Sequence, residues 1–326
     1  MKRVPVRKLV SVVVAAGLLA TLSACATGPG GSDCSPLFAA GANSKLVTAT
    51  GDIGADPEAE FPTPIVGSKT EATVLTVGDG ERLAPGALGV VQVTIYDGTT
   101  GEVLISSDYT GSGVLSYARE EVPAFGAVVQ CATIGSRVAA TGSASHLIGD
   151  DAITQYQLPI EGDDEVVLVA DLLQTYLGKA DGAEQPAQAG FPSIVLAPDG
   201  RPGFTFPGGS TAPATFESAA LKAGDGTTVK EGDGVVMHYT AVEWGATTVA
   251  ETTWDGSPTV KLAASLTESE SGMIEGLKKA IVGQKVGSQL VVVVPPELGY
   301  ASGSAPAGVT DGATLVYVVD ILGIFQ

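Results

Sequence analysis

The sequence repeats itself over a long distance. GDGERLAPGALGVVQVTIYDG, from Gly78, reads against GDGTTVKEGDGVVMHYTAVEWG, from Gly224. Phe61-Pro62 stands 17 residues before the first GDG, and Phe206-Pro207 stands 18 before the second. Downstream, VVLVADLLQTY (Val166 to Tyr176) matches LVYVVDILGIF (Leu315 to Phe325), with Asp171 opposite Asp320. The offset drifts from 145 at the valine-rich strand to 149 at the last one, which asks only for small loop insertions and deletions. The chain therefore holds two copies of one unit, and its length suffices for two domains of ordinary size.

The unit is mainly β. The chain carries 43 Gly and 19 Pro among many Val, Thr and Ile, with few long amphipathic stretches. In the second copy, alternation and turn residues mark GVVMHYTAVEW, TVAETTW, PTVKLA, KVGSQLVVVVP and ATLVYVVDILGIF as strands. One segment has helical spacing: SGMIEGLKKAIVGQ puts Met273, Ile274, Leu277, Ile281 and Val282 near one face, with Lys278 and Lys279 opposite. Ser271 is placed to cap that helix and Gly283 to stop it. The expected fold is α+β, mainly β: two tandem half-barrels, each an antiparallel sheet of about five strands wrapped over one short helix.

The ends of the copies follow from composition. GKADGAEQPAQAG, residues 178–190, is polar, rich in Ala, Gly and Pro, and aperiodic, so it reads as a linker between domains 43–177 and 191–326. Residues 1–24 read as a secretory leader: Lys2, Arg3, Arg7 and Lys8 precede an apolar run from Leu9 to Leu22, too short to span a bilayer. Leu22-Ser23-Ala24-Cys25 resembles the bacterial lipobox, which implies lipidation at Cys25 and a tether over 25–42; an ordinary leader with an incidental cysteine is the alternative. Two acyl chains hold well because burial contributes ~0.8 kcal/mol per CH₂. The expected place is the extracytoplasmic face of a bacterial membrane, held there by lipid.

Charge and cysteines exclude several classes. Of 17 Lys and Arg, four leave with the leader, so 13 positive residues face 36 Asp and Glu, a net charge of −23. Nucleic acid is not an expected partner, because binding a polyanion depends on neutralising its phosphates. Cys34 and Cys131 remain, and an oxidising compartment permits them to pair, closing a long loop worth ~4 kcal/mol in the chain-entropy model. Neither has a histidine near it in sequence, and His146 and His238 are the only two in the chain, which argues against a catalytic thiol and against zinc. No cofactor and no metal are expected.

The order of motifs resembles the FKBP-type peptidyl-prolyl cis-trans isomerases. The segments that carry it are GDGTTVKEGDGVVMHYTA, VAETTWDGSP, MIEGLKKAIVGQKVGSQLVVVVPPELGYASGSAP and DGATLVYVVDIL, in order from Leu221 to Leu322. The lipobox, the acidic tandem layout and the Phe-Pro segments look like the two-domain FKBP-type lipoproteins of actinobacteria. The resemblance implies an isomerase acting on proline-containing polypeptides through the second copy, with tacrolimus-like macrolides as further ligands and a monomer as the expected state. It implies a site of Tyr239, Glu251, Ile274, Tyr300 and Tyr317, with Ala250, Met273, Leu277 and Pro306 binding substrate. Tyr300 would bond a carbonyl of the bound chain, Ile274 would offer a backbone N–H, and small residues Ala301, Ser302, Gly303 and Ser304 would let a peptide come close. Read from the residues alone, each of these side chains could equally fill a core.

Two departures stand out. Ala250-Glu251 occupies the place of the family's phenylalanine-aspartate pair, and Leu277 stands where tryptophan is frequent, so the expected pocket is wider and its base smaller. In the first copy Thr94, Leu104-Ile105 and Leu168 are read opposite Tyr239, Ala250-Glu251 and Tyr317, and SASHLIGDD replaces PPELGYASG, so that copy is expected to lack catalysis. The expected function is a prolyl isomerase and folding helper for exported proteins. The alternative is a non-catalytic FKBP-like binding or chaperone protein at the cell surface. A solute-binding lipoprotein fits poorly, for want of alternating βα units.

Overall fold

Each copy opens on a small hairpin that lies against the back of its own sheet. The computed structural model describes residues 34–67, 69–110, 113–254, 261–263, 273–300, 303, 305, 306 and 308–325. Ser35–Gln326 forms one compact unit. In the first copy β1 (Thr48–Thr50) pairs with β2 (Glu58–Glu60), and then come β3 (Glu71–Thr76), β4 (Leu88–Asp97), β5 (Val103–Ser106), β6 (Val114–Tyr117), α1 (Phe125–Val128), β7 (Arg137–Ser143), α2 (Ala144–Leu147), α3 (Asp150–Gln155) and β8 (Glu165–Tyr176). The sheet runs β3-β7-β8-β4-β5, with β6 also on β4, and its pairings are antiparallel.

The second copy repeats this plan. After β9 (Ala183–Glu184) come the hairpin of β10 (Ser193–Leu196) and β11 (Pro202–Thr205), then β12 (Glu217–Ala223), β13 (Gly234–Glu243), β14 (Val249–Thr252), β15 (Lys261–Ala263), α4 (Glu275–Ile281), β16 (Gln289–Val294) and β17 (Leu315–Phe325). Its sheet runs β14-β13-β17-β16-β12-β9, with β15 on β13. The stretch 178–190 follows the edge of this sheet, where Ala183 and Glu184 pair with Ala223 and Lys222. Strand β12, which the sequence pattern did not disclose, has only Ala219 buried, so its alternation is weak.

The hairpins explain why the central strands read as unbroken apolar runs. A strand covered on one face alternates; one covered on both does not. On the inner side of the second sheet Met237, Tyr239, Ala241, Val292 and Tyr317 pack against Leu277 and Ile281 of α4. On the outer side Val242, Val291, Val293 and Val316 meet Ile194 and Phe204 of the hairpin, with Phe206 and Trp244. Phe61 and its hairpin do the same for Val167 and Val169 in the first copy. The two Phe-Pro segments are thus parts of the outer covers.

Irregularities fix the correspondence between copies more finely than sequence does. The bulge in β4 against β8 falls between Val90 and Val91, and that in β13 against β17 between Val236 and Met237, an offset of 146. The backbone N–H of Cys131 donates to Leu83 and that of Gly283 to Val229, an offset of 152 at the helix end. Both residues are left-handed, with φ of 70° and 85°. Glycine takes that conformation without a Cβ penalty, whereas few other residues do. Cys34 and Cys131 are both disulfide-bonded.

Helix α4 departs from the sequence reading in two places. Val282 lies beyond its last turn and is 40% exposed, while Lys278, assigned to the outer face, is 9% exposed. A seven-residue helix pressed on both sides buries more than one stripe. The expected cap, Ser271, lies outside the described residues; the N-cap is Ile274, with extended backbone and no side-chain cap.

Candidate active site

Three neighbouring strands bring the site's polar groups into one row. Ala241 of β13 is in register with Glu251 of β14 on one side and with Tyr317 of β17 on the other. Ala241 is fully buried, and its single methyl is the smallest side chain of the three. Tyr239, two residues back along β13, lies on the same face because strand side chains alternate. Its ring centroid is 5.9 Å from that of Tyr317, tilted by 49°.

Tyr300 completes the cluster from the turn after β16. Its hydroxyl donates to Glu251 Oε1 over 2.9 Å. Tyr317 acts on Tyr300, and Glu251 on Tyr239, closely enough to shift their acidity. Burial, the nearby Glu251 charge and the bond donated to it push Tyr300 up to about 12, with Tyr317 pulling the other way. Tyr239 and Tyr317 are pushed further up, burial leading in each case. All three are therefore neutral donors at physiological pH, arrayed around a single carboxylate.

The base of the site is apolar. Met273, Ile274 and Leu277 are buried in the same cluster as Tyr239 and Tyr317, with Leu298, Tyr300 and Val309 packed against it. Ile274 precedes the first turn of α4, so its N–H lies outside the helical ladder. Ala250 and Pro306 are half-buried. The loop is tied down where it is described: Val309 donates its N–H to Pro306 over 3.1 Å, Gly303 to Asp311 Oδ1 over 2.6 Å, and Thr310 bonds both oxygens of Glu243. Ala301, Ser302 and Ser304 lie outside the described residues, as does Cys25. Of the expected set, Tyr239, Met273, Ile274, Leu277 and Tyr317 are buried in one cluster with Tyr300 packed against it, and Tyr300 bonds Glu251 at its rim.

The same positions in the first copy are filled with hydrocarbon. By the bulge register, the counterpart of Tyr239 is Val93, one residue before the expected Thr94. Thr94 faces the other side, where it bonds Tyr109, Ser106 and Asp56. Ile105 stands for Glu251, Leu168 for Tyr317 and Ile148 for Tyr300, and all pack in one core with Val93 and Phe125. What the sequence reading missed lies behind the site: His238 of β13 meets Tyr117 of the first copy and stacks on Trp254. Among the described residues no cluster of three or more His, Cys, Asp or Glu is arranged for a metal ion.

Residues 225–322 match the sequence model of the family described as FKBP-type peptidyl-prolyl cis-trans isomerase. A Streptomyces anulatus protein named FK506-binding protein is 26% identical over 125 residues, which is 38% of this chain and 97% of that one. A Corynebacterium glutamicum protein named probable FK506-binding protein is 26% identical over 111 residues, 34% of this chain and 88% of that one. A human protein named peptidyl-prolyl cis-trans isomerase FKBP2 is 32% identical over 96 residues, 29% of this chain and 63% of its own.

Proposed function

We propose that the second copy, whose residues 225–322 match the family of FKBP-type peptidyl-prolyl cis-trans isomerases, turns X-Pro bonds in exported polypeptides at the Tyr300–Glu251 rim. The observation that carries this is the bond of 2.9 Å from Tyr300 to Glu251, with Tyr239 and Tyr317 buried beside it over an apolar base.

The chemistry needs no nucleophile. The barrier of ~20 kcal/mol is amide resonance, and a site lowers it by fitting the twisted amide better than either planar form. Each tenfold gain requires ~1.4 kcal/mol. The hollow over Leu277 and Tyr317 supplies a dry surface for the proline ring. A chain carbonyl takes the Tyr300 O–H in exchange for Glu251, and the Ile274 N–H holds a second carbonyl. Apolar walls disfavour the more polar planar amide. The same groups offer a macrolide such as tacrolimus a phenol, an N–H and an apolar base.

The remainder of the reading concerns place and clients. A leader cut just before Cys25 would set the chain on the extracytoplasmic face by a lipid anchor, where newly exported polypeptides are the clients. The first copy, whose counterpart hollow is packed with Val93, Ile105, Ile148 and Leu168, does not share the chemistry.

The test uses the full chain and a proline tetrapeptide. Tyr300→Phe with Glu251→Gln is expected to lower kcat/KM at least about tenfold, and tacrolimus to suppress the unaltered protein. An unaltered protein that leaves the spontaneous rate unchanged would turn the reading to a non-catalytic binder.

A further inference from the structure

His238 sits on β13 beside Tyr239, with its ring turned to the opposite face of the sheet and both nitrogens engaged. Its Nδ1 is 2.7 Å from Thr253 Oγ1, and its Nε2 is bonded to the hydroxyl of Tyr117, at the end of β6 in the first copy. The indole of Trp254 stacks on the imidazole at 4.1 Å, and the Tyr117 ring lies nearly parallel to it at 5.9 Å. The Arg119 guanidinium covers the tyrosine ring at 4.1 Å. Around this polar contact Leu88, Tyr117, Val236 and Leu322 form an apolar seam joining the copies, with Tyr176, Leu177 and Phe325 at its margin.

Thr253 connects that contact to the site. Its Oγ1 accepts the N–H of Tyr239 over 3.0 Å, and its own N–H donates to the Tyr239 carbonyl over 3.0 Å. One assignment of protons satisfies all of these groups. Tyr117 donates to Nε2, Nδ1–H donates to Thr253 Oγ1, and the threonine hydroxyl donates to the Tyr239 carbonyl, 3.3 Å away. Thr253 follows Glu251 by two residues, and Glu251 is in register with Ala241, two residues along β13 from Tyr239 and on the same face. The backbone of Tyr239 and the strand end that carries Glu251 are therefore held, on their hidden side, by a chain of bonds that starts in the other copy.

We propose that Tyr117 of the first copy is a positioning residue for the isomerase site of the second, acting through His238 and Thr253 on Tyr239 and Glu251. The proposal rests on the reading of that site as catalytic and gives the non-catalytic copy its part in the reaction. Removing only the Tyr117 oxygen keeps the ring, the seam and the cation above it. It frees His238 Nε2, loosens the end of β14 and lets the carboxylate drift from the place where the chain carbonyl is exchanged. Small displacements of a positioned group cost rate.

Tyr117→Phe is made in the full chain, alone and with Glu251→Gln, with Tyr176→Phe as the control at the seam. Expected is a fall of about fivefold in kcat/KM for Tyr117→Phe, no further fall when Glu251 is already Gln, and no change in the control. The side-chain carboxyl ¹³C resonance of Glu251 should shift in Tyr117→Phe and hold in the control. Equal losses in both backgrounds, or a silent substitution with an unmoved carboxyl resonance, would overturn the proposal. If the unaltered chain has no activity, the isomerase reading fails by itself, and the resonance alone decides whether Tyr117 positions Glu251.

Discussion

Arg137 and Asp171 lie side by side on β7 and β8, wholly buried, joined by bonds of 2.6 Å from Nε and 2.7 Å from Nη2. Their counterparts on β16 and β17 are Gln289 and Asp320, with one bond of 2.6 Å. In each copy the aspartate also holds the chain that precedes the sheet: Asp171 accepts the N–H of Gly54, and Asp320 that of Ala180. The shared aspartate noticed in the repeat is thus a clasp for the incoming segment. Arg137 further bonds the carbonyls of Thr50, Gly51, Asp52 and Ala55, which close the first hairpin.

Removing the arginine leaves a buried carboxylate without its counter-charge, the costly half of such a pair. Arg137→Met is expected to lower stability by about 3–5 kcal/mol in urea unfolding. Arg137→Gln, which copies the second domain, should lose less, because one bond to Asp171 survives. Equal losses would show that the carbonyl contacts, rather than the carboxylate, set the cost.

Gly276 gives a second test, on the packing beneath the site. A Cβ there would stand 2.8 Å from one methyl of Val294 and closer still to the other, with the Leu298 carbonyl at 3.2 Å. Alanine normally favours a helix by about 1 kcal/mol over glycine. Here overpacking reverses the sign, and Gly276→Ala should destabilise by about 1–3 kcal/mol while displacing Leu277 and weakening tacrolimus binding. A stabilised protein would mean that β16 yields easily.

What the sequence disclosed was whatever depends on spacing along one chain. The central strand, the helix with Leu277 and Ile281, and the tyrosine after the valine strand were legible because alternation, helical period and a local turn produced them. The offset of Val93 from Thr94 was not, since a bulge shifts register without leaving a residue type behind. Nor was the burial of Lys278, which depends on a neighbour. His238 could be placed on its strand, but its partner Tyr117 lies 121 residues away and belongs to another domain. The polar handles of the site are local features; the device that steadies them is a tertiary one.

The neutrality of Tyr300 has a kinetic consequence. A free tyrosine loses its proton near pH 10, whereas burial and the Glu251 charge hold this one up to about 12. If its O–H bonds the substrate, kcat/KM should stay level from pH 7 to beyond pH 10. Glu251→Gln removes the repelling charge and should bring the alkaline fall closer to pH 10. A profile already falling at pH 9 would remove the phenol from the account.

His238 links acidity to stability with a definite sign. Burial, and then the Arg119 charge, lower its pKa from 6.5 to about 4. The groups around it are Tyr117, Thr253, Trp254 and Arg119, with Asp320 opposite on β17. Above pH 6.5 the imidazole is neutral in both folded and unfolded chains, and its contribution is complete. As pH falls below 6.5 the unfolded chain takes up a proton that the folded one refuses, so stability declines until about pH 4, where the loss levels off. At about 1.4 kcal/mol per tenfold change in proton activity, the decline amounts to about 3 kcal/mol. Other acids titrate over part of this range, including Asp320, whose burial raises it and works in the opposite direction. The measurement is therefore the difference between the unaltered chain and His238→Gln, followed by urea unfolding from pH 7.5 to 4. The unaltered chain should lose the larger amount, with the gap opening between pH 6.5 and 4; parallel curves would show that His238 takes up its proton in the folded chain as readily as in the unfolded one.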